Sequence, residues 1–155
     1  MNEQPTAYTL SIPGTLADCR LVIPGTLPGL NEYIDATRIN RQKGATMKRQ
    51  AQTLVMWHMK AQLYKRHFTK PVFLLFTFYE KDRRRDHDNV SSFARKVIQD
   101  ALVTGGALQD DGWAYVTGYL DRFAVDKGNP RIVVEFIEQE VETQCKRQRA
   151  KSSEK

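Results

Sequence analysis

Cysteine is almost missing from this chain. Its 155 residues include only Cys19 and Cys145, far apart and in no Cys-x-x-Cys arrangement. That excludes a thiolate zinc site and a disulfide framework, and it suits a reducing compartment. Long hydrophobic runs are also lacking. The longest, Val72 to Phe78, contains Thr77 and is far shorter than the ~20 apolar residues a bilayer-spanning helix needs. The first residues show no basic stretch followed by an apolar segment, so no secretory signal is visible. These absences lead us to expect a soluble, cytoplasmic protein with no membrane partner. Histidine is scarce too. His58 lies among apolar helix residues, His67 falls at a helix end where it suits the dipole, and His87 sits between two aspartates. None of the three stands out as a ligand.

Enough apolar residues are present, 41% with 10% aromatic, to build a core in a chain whose length fits one domain. The formal charge of +6 makes a polyanionic partner worth testing, although surface lysine and arginine also serve solubility. The N-terminal residues are polar, with a short strand conceivable over Tyr8 to Ile12. Cys19 to Ile23 reads as a short strand, and prolines and glycines make Pro24 to Asn31 a loop. Gly44 to about His67 reads as a helix, with Ala51, Val55, Met59 and Leu63 in an i, i+4 row and Leu54 beside it. Its Met and Trp residues read as core packing, with Trp57 lying off that row.

Val72 to Tyr79 is apolar on both faces and reads as a central strand. A charged loop follows. Val90, Phe93, Ala94, Val97, Ile98, Ala101 and Leu102 then mark a second helix, stopped by Gly105-Gly106. Trp113 to Phe123 and the alternating Ile132, Val134 and Phe136 read as two further strands around a turn at Asp126 to Pro130. The expected fold is α+β: one small domain over residues 1–138, with a mixed sheet of about four strands and two main helices on one face. The expected order is β-α-β-α-β-β, the last pair forming a hairpin. Residues 139–155 read as a polar, basic tail, frayed or disordered.

The informative segment is Arg83-Arg84-Arg85-Asp86-His87-Asp88-Asn89, two carboxylates one residue apart between a strand and a helix N-terminus. A second acidic pair, Asp110-Asp111, follows that helix. Two readings stand. Asp88 or Asn89 can cap the helix, Asp86 can pair with an arginine, and Asp110-Asp111-Gly112 can form a turn. Alternatively the carboxylates converge and need a hard divalent cation, magnesium or manganese rather than zinc, to offset their repulsion.

Arg-Arg-Arg-Asp-x-Asp-Asn, an amphipathic helix ending in Asp100-Ala101-Leu102, and a glycine-containing loop into Asp110-Asp111 together resemble the RusA family of Holliday junction resolvases. The likeness runs from about Cys19 to Glu138 and includes the Pro/Gly-rich loop from Leu27 to Tyr33. It implies a small mixed α/β homodimer that uses Mg2+, or Mn2+ in its place, to cut four-way DNA junctions. It also implies that Asp86, Asp88 and Asp111 are the catalytic metal carboxylates, with Asp110 beside the third. Ser92 stands where the family's prototype has a lysine, and the helix is about one turn longer here. Counted from the helix C-terminus, Lys96, with Arg95 adjacent, takes that catalytic position. Arg83, Arg84, Arg85 and Arg95 are the expected phosphate-binding residues. Two other functions remain open: a non-catalytic, structure-selective DNA-binding protein, and a metal nuclease acting on flaps, single strands or RNA.

Overall fold

Nearly every side chain from Val72 to Tyr79 is apolar, and a strand of that kind is stable only with neighbours on both sides. In the computed structural model, which describes residues 11–141, it takes such a place. The elements are β1 (Thr15–Pro24), α1 (Leu30–Ile39), α2 (Arg41–Leu63), β2 (Val72–Glu80), α3 (His87–Thr104), β3 (Val116–Val125) and β4 (Arg131–Glu138). They build an α+β domain around one mixed sheet of order β1-β4-β2-β3. β2 pairs parallel to β3 and antiparallel to β4, and β4 pairs antiparallel to β1.

The expected hairpin of the last two strands does not form, because β3 and β4 lie on opposite sides of β2. Burial explains the choice. β4 buries Ile132, Val133, Val134, Phe136 and Ile137, on both of its faces, whereas β3 buries only Val116 completely. The apolar strand goes inside and the polar one takes the edge. The turn between them passes over the end of β2: Asp126 N donates to Glu80 O at 2.8 Å. Beyond it, Gly25 N donates to Pro130 O at 2.8 Å and ties the start of β4 to β1.

The helix-facing side of the sheet carries Leu21, Ile23, Leu74, Phe76, Phe78, Ile132, Val134 and Phe136, all essentially inaccessible. Each large side chain in this layer contributes roughly 1.5–3 kcal/mol through burial. Against it lie the expected rows of α2 (Ala51, Val55, Met59, Leu63) and α3 (Val90, Phe93, Ala94, Val97, Ile98, Ala101, Leu102). Leu54 is outside that row, 42% exposed, and Trp57 is 67% exposed, so neither belongs to the core.

Helix α1 starts inside the expected loop, at Leu30, and runs on through residues that the sequence leaves unassigned; it has no fully buried residue to mark it by period. Polar ties fix its start: Glu32 Oε1 accepts from Gly29 N at 3.3 Å, and Asn89 Oδ1, from α3, accepts from Asn31 N at 2.9 Å. Tyr33 then packs on Phe93 with ring centroids 4.8 Å apart. α2 begins at Arg41 rather than Gly44, because Asn40 Oδ1 caps it through Gln42 N at 2.8 Å. β3 begins at Val116 rather than Trp113, since Tyr115 N and Val116 N both turn back to Gly112 O at 3.0 Å. In the tail, Gln139 N bonds Pro71 O at 2.8 Å and Glu140 pairs with Lys70 at 2.8 Å. The rest of the tail reading, Cys145 included, and the strand expected over Tyr8 to Leu10 lie outside the described residues. Ser11 and Ile12 are not in a strand. No helix among the described residues is long and apolar enough to cross a membrane.

Gly44 is the contact point of α1 and α2. A Cβ there would run into the Thr37 side chain and come within 3.2 Å of Thr37 Cα, backbone that cannot rotate away. Gly44→Ala gains up to ~1 kcal/mol of helix propensity but overpacks the crossing by more. The expected net loss is about 1–2 kcal/mol, read from a lower urea midpoint at unchanged slope.

Candidate metal and nucleic-acid site

α3 runs back along β3 in the opposite direction, so the start of the helix faces the end of the strand. His87 meets Phe123, and Arg95, two turns on, meets Asp121 and Tyr119. Asp86 is the N-cap of α3, its Oδ1 accepting from Asn89 N at 2.9 Å. Asp88 lies in the first turn, where its charge suits the helix dipole, and Ser92 Oγ donates to its Oδ1 at 3.4 Å.

Asp111 has different company. Lys96 Nζ bonds Asp111 Oδ2 at 3.2 Å and Asp100 Oδ1 at 3.0 Å, and Lys48 Nζ closes on Asp100 Oδ2 at 3.1 Å. The rise along α3 from Asp88 to Lys96 is ~12 Å. Asp111 is thus held by a lysine about two turns along the helix from Asp88. Among the described residues, no three His, Cys, Asp or Glu side chains gather closely enough to hold a metal ion. Asp110 flanks the turn glycine Gly112, its Oδ2 3.0 Å from where a Cβ would stand.

The sequence reading missed Asp121. It shares the helix-facing side of edge strand β3 with Tyr119 and Phe123, and a carboxylate in phase with an aromatic row was the available signal. Arg95 pairs with it at 3.1 Å, both side chains 15% exposed, while the guanidinium also lies 4.3 Å above the Tyr119 ring. Asp121 Oδ1 is buried and receives no hydrogen bond. Burial raises the Asp121 pKa, Arg95 and the Ser91 hydroxyl offset only part of that, and the nearby Asp88 charge adds a smaller push upward. The donor chemistry therefore fits a hard cation: oxygen ligands, two acidic groups repelling each other, and one orphaned oxygen.

Four arginines were expected to bind phosphate, and they divide into two kinds. Arg85 is turned inward. Its NH2 and Nε bond the Glu80 carboxylate at 2.7 and 3.3 Å, NH1 donates to Leu27 O at 3.1 Å, and Glu32 Oε1 lies 3.9 Å away. Arg95 is engaged by Asp121. Arg83 and Arg84 are exposed; the Arg84 guanidinium holds a loose 3.6 Å contact to Asp82, whose other oxygen accepts from Arg84 N at 3.0 Å. A cleft of about 560 Å³ opens here, bordered by Arg83, Asp86, His87, Asp88 and Phe123. Compared with known protein families and with curated proteins, the chain matches none.

The Lys96 network makes a pH-dependent contribution. Burial raises the Asp100 pKa, but hydrogen bonds from Lys96 and Lys48 outweigh it and leave the pKa below the ordinary aspartate range. Bonds to Asp100 first and Asp111 second raise the Lys96 pKa, so this side chain is a fixed cation and not a base. A depressed carboxylate pKa stabilises the fold above its unfolded value, and the contribution is lost as pH falls through the folded value. Asp100→Asn should therefore lower the melting temperature by about 2–5 °C at pH 7 and by much less at pH 2. Equal losses at both would assign the effect to packing.

Proposed function

We propose that this chain is a magnesium-dependent endonuclease that cuts branched DNA at four-way junctions and works as a homodimer. The observation that carries the reading is the acidic start of α3. Asp86 and Asp88 border a cleft with the exposed cation Arg83 at its rim, and Asp121, whose Oδ1 is unsatisfied, lies close enough to α3 for the Asp88 charge to act on it. The resemblance of the segment from Arg83 to Asp111 to the RusA resolvases points the same way.

Asp86, Asp88 and Asp111 are the residues proposed to hold the metal, with Asp110 and Asp121 beside them. A bound Mg2+ would neutralise charge on the scissile phosphate and lower the pKa of an attacking water. Arg83 and Arg84 would grip flanking phosphates and fix the register of the strand. Lys96 holds Asp111 and Asp100 together, and releasing Asp111 would leave its ammonium one carboxylate partner and a donor to spare for the phosphate. Two symmetric cuts need two such sites, and the described residues offer one candidate, so a second copy would supply the other.

A second reading has its own support. Asp86 already caps a helix and Asp111 is already ion-paired, which is all that a non-catalytic DNA-binding protein with the same basic rim would require.

The two readings part on Asp86→Asn. Asparagine caps a helix as well as aspartate does, so the fold is kept while the carboxylate charge is removed. Asp86→Asn and Asp111→Asn should each abolish Mg2+-dependent cleavage of a synthetic four-way junction, with junction affinity equal or tighter. Cleavage at the parental rate in either variant would remove that residue from the metal site. No cleavage by the parent chain in Mg2+ or Mn2+ would favour the second reading. Light scattering should give about twice the 17.9 kDa chain mass. A monomer making unpaired nicks would fit a different branched or single-stranded substrate.

A further inference from the structure

His87 lies flat on Phe123, with ring centroids 3.9 Å apart and planes only 4° from parallel. The stack continues inward: Phe123 to Phe78 at 5.5 Å and 18°, then Phe78 to Phe76 at 6.1 Å and 14°. Phe76 and Phe78 are 0–1% exposed, so Phe123, the ring under His87, rests on the packed core. Its last ring, His87, is exposed at the cleft beside Asp86 and Asp88. The edge-to-face arrangements that aromatic side chains often adopt are absent from this column. What it offers at the surface is a flat, amphipathic ring backed by Phe123 and exposed at the cleft. The ligand complementary to such a face is another planar ring. The cleft also carries Arg83 beside the carboxylates of Glu80, Asp82, Asp86 and Asp88, so with a divalent cation screening those carboxylates the matching chemistry is a base attached to a phosphate.

The geometry points to a nucleobase-stacking site on His87, taking an unpaired base at or next to the branch point of the DNA. The inference rests on the branched-DNA reading above and adds a reason for branch selection. Bases within a duplex are stacked on each other and unavailable, whereas those at a junction centre are partly unstacked and cost little to capture. A base seated there would put its own phosphates within reach of Arg83 and beside the acidic start of α3. The volume of about 560 Å³ is within the range of small-ligand pockets and ample for one nucleotide.

The test is a double-mutant cycle between His87 and the DNA base, read as binding. Four-way junctions carrying a single abasic site, scanned over the nucleotides around the branch point, are titrated against the full chain in Ca2+ so that strands stay intact. At one position the abasic site should weaken parental binding roughly 5- to 100-fold, the range of a base–aromatic stack. His87→Ala should weaken binding to the intact junction by a similar factor and be nearly indifferent to the same abasic site. His87→Phe should restore both the affinity and the sensitivity. Linear duplex binding should change little in either variant. Independent, multiplying losses at every position, or equal losses on duplex and junction, would overturn the stacking site, as would a chain that does not bind DNA. Parental cleavage with no coupling to His87 would leave the nuclease reading intact and refute this one. Coupling without cleavage in Mg2+ would do the reverse.

Discussion

The guanidinium of Arg85 holds the functional end of the molecule together. It reaches the last residue of β2 through Glu80, the Pro/Gly loop through the Leu27 carbonyl, and the first turn of α1 through Glu32. Two stretches of chain distant in sequence, 27–32 and 80–85, meet at this one planar cation, whose fork matches a carboxylate bidentately. Its neighbour Asn89 closes the same junction by accepting from Asn31 N. Gly29 leaves room for both, since a Cβ there would touch Asn89 Oδ1 and approach Arg85 NH1 at 3.2 Å. Losing one partner of such a half-buried pair would cost more than the pair itself contributes, because the other charge would be stranded. The direction in which Asp86 and Asp88 leave the sheet is set here.

Around that anchor the acidic residues are shared out among different partners. Backbone N–H groups take Asp86, a hydroxyl takes Asp88, lysines take Asp100 and Asp111, and an arginine takes one oxygen of Asp121. Internal cations and hydrogen-bond donors thus offset the mutual repulsion of these carboxylates. Lys96 is the pivotal member, since its ammonium bridges a helix residue and a loop residue that would otherwise repel.

The fold was largely legible from hydrophobic period. The rows of α2 and α3, the interior place of β2 and the glycine stop after α3 all follow from side-chain spacing, which responds to burial. What escaped was decided by polar, long-range ties. α1 has no fully buried residue and is held by groups from α3 and its own first turn, so no local pattern announces it. The sheet order escaped for a related reason. A short turn suggests a hairpin, and only the two-sided burial of β4 against the polar edge of β3 reveals that the chain steps over β2 instead. Of the candidate site, the order of the acidic residues was readable but not their partners. Arg85 belongs to the same arginine run as Arg83 and Arg84, yet Glu80 behind it turns it inward, a distinction the triplet itself does not carry.

The place of β4 also governs the order in which the sheet can be completed. β1 and β2 flank it on either side, so neither has its full set of hydrogen-bond partners until residues 131–138 arrive. A chain growing from its N-terminus exposes the apolar edge of β2 throughout the synthesis of α3 and β3, with only the parallel β3 to pair with. Insertion of one late strand then closes both gaps at once, with contacts of very long sequence separation to β1. Folding of this kind is slow by loop-closure arithmetic and leaves an open strand edge while it waits. Cells making this protein would meet its aggregation hazard during translation, before the last strand is threaded into place.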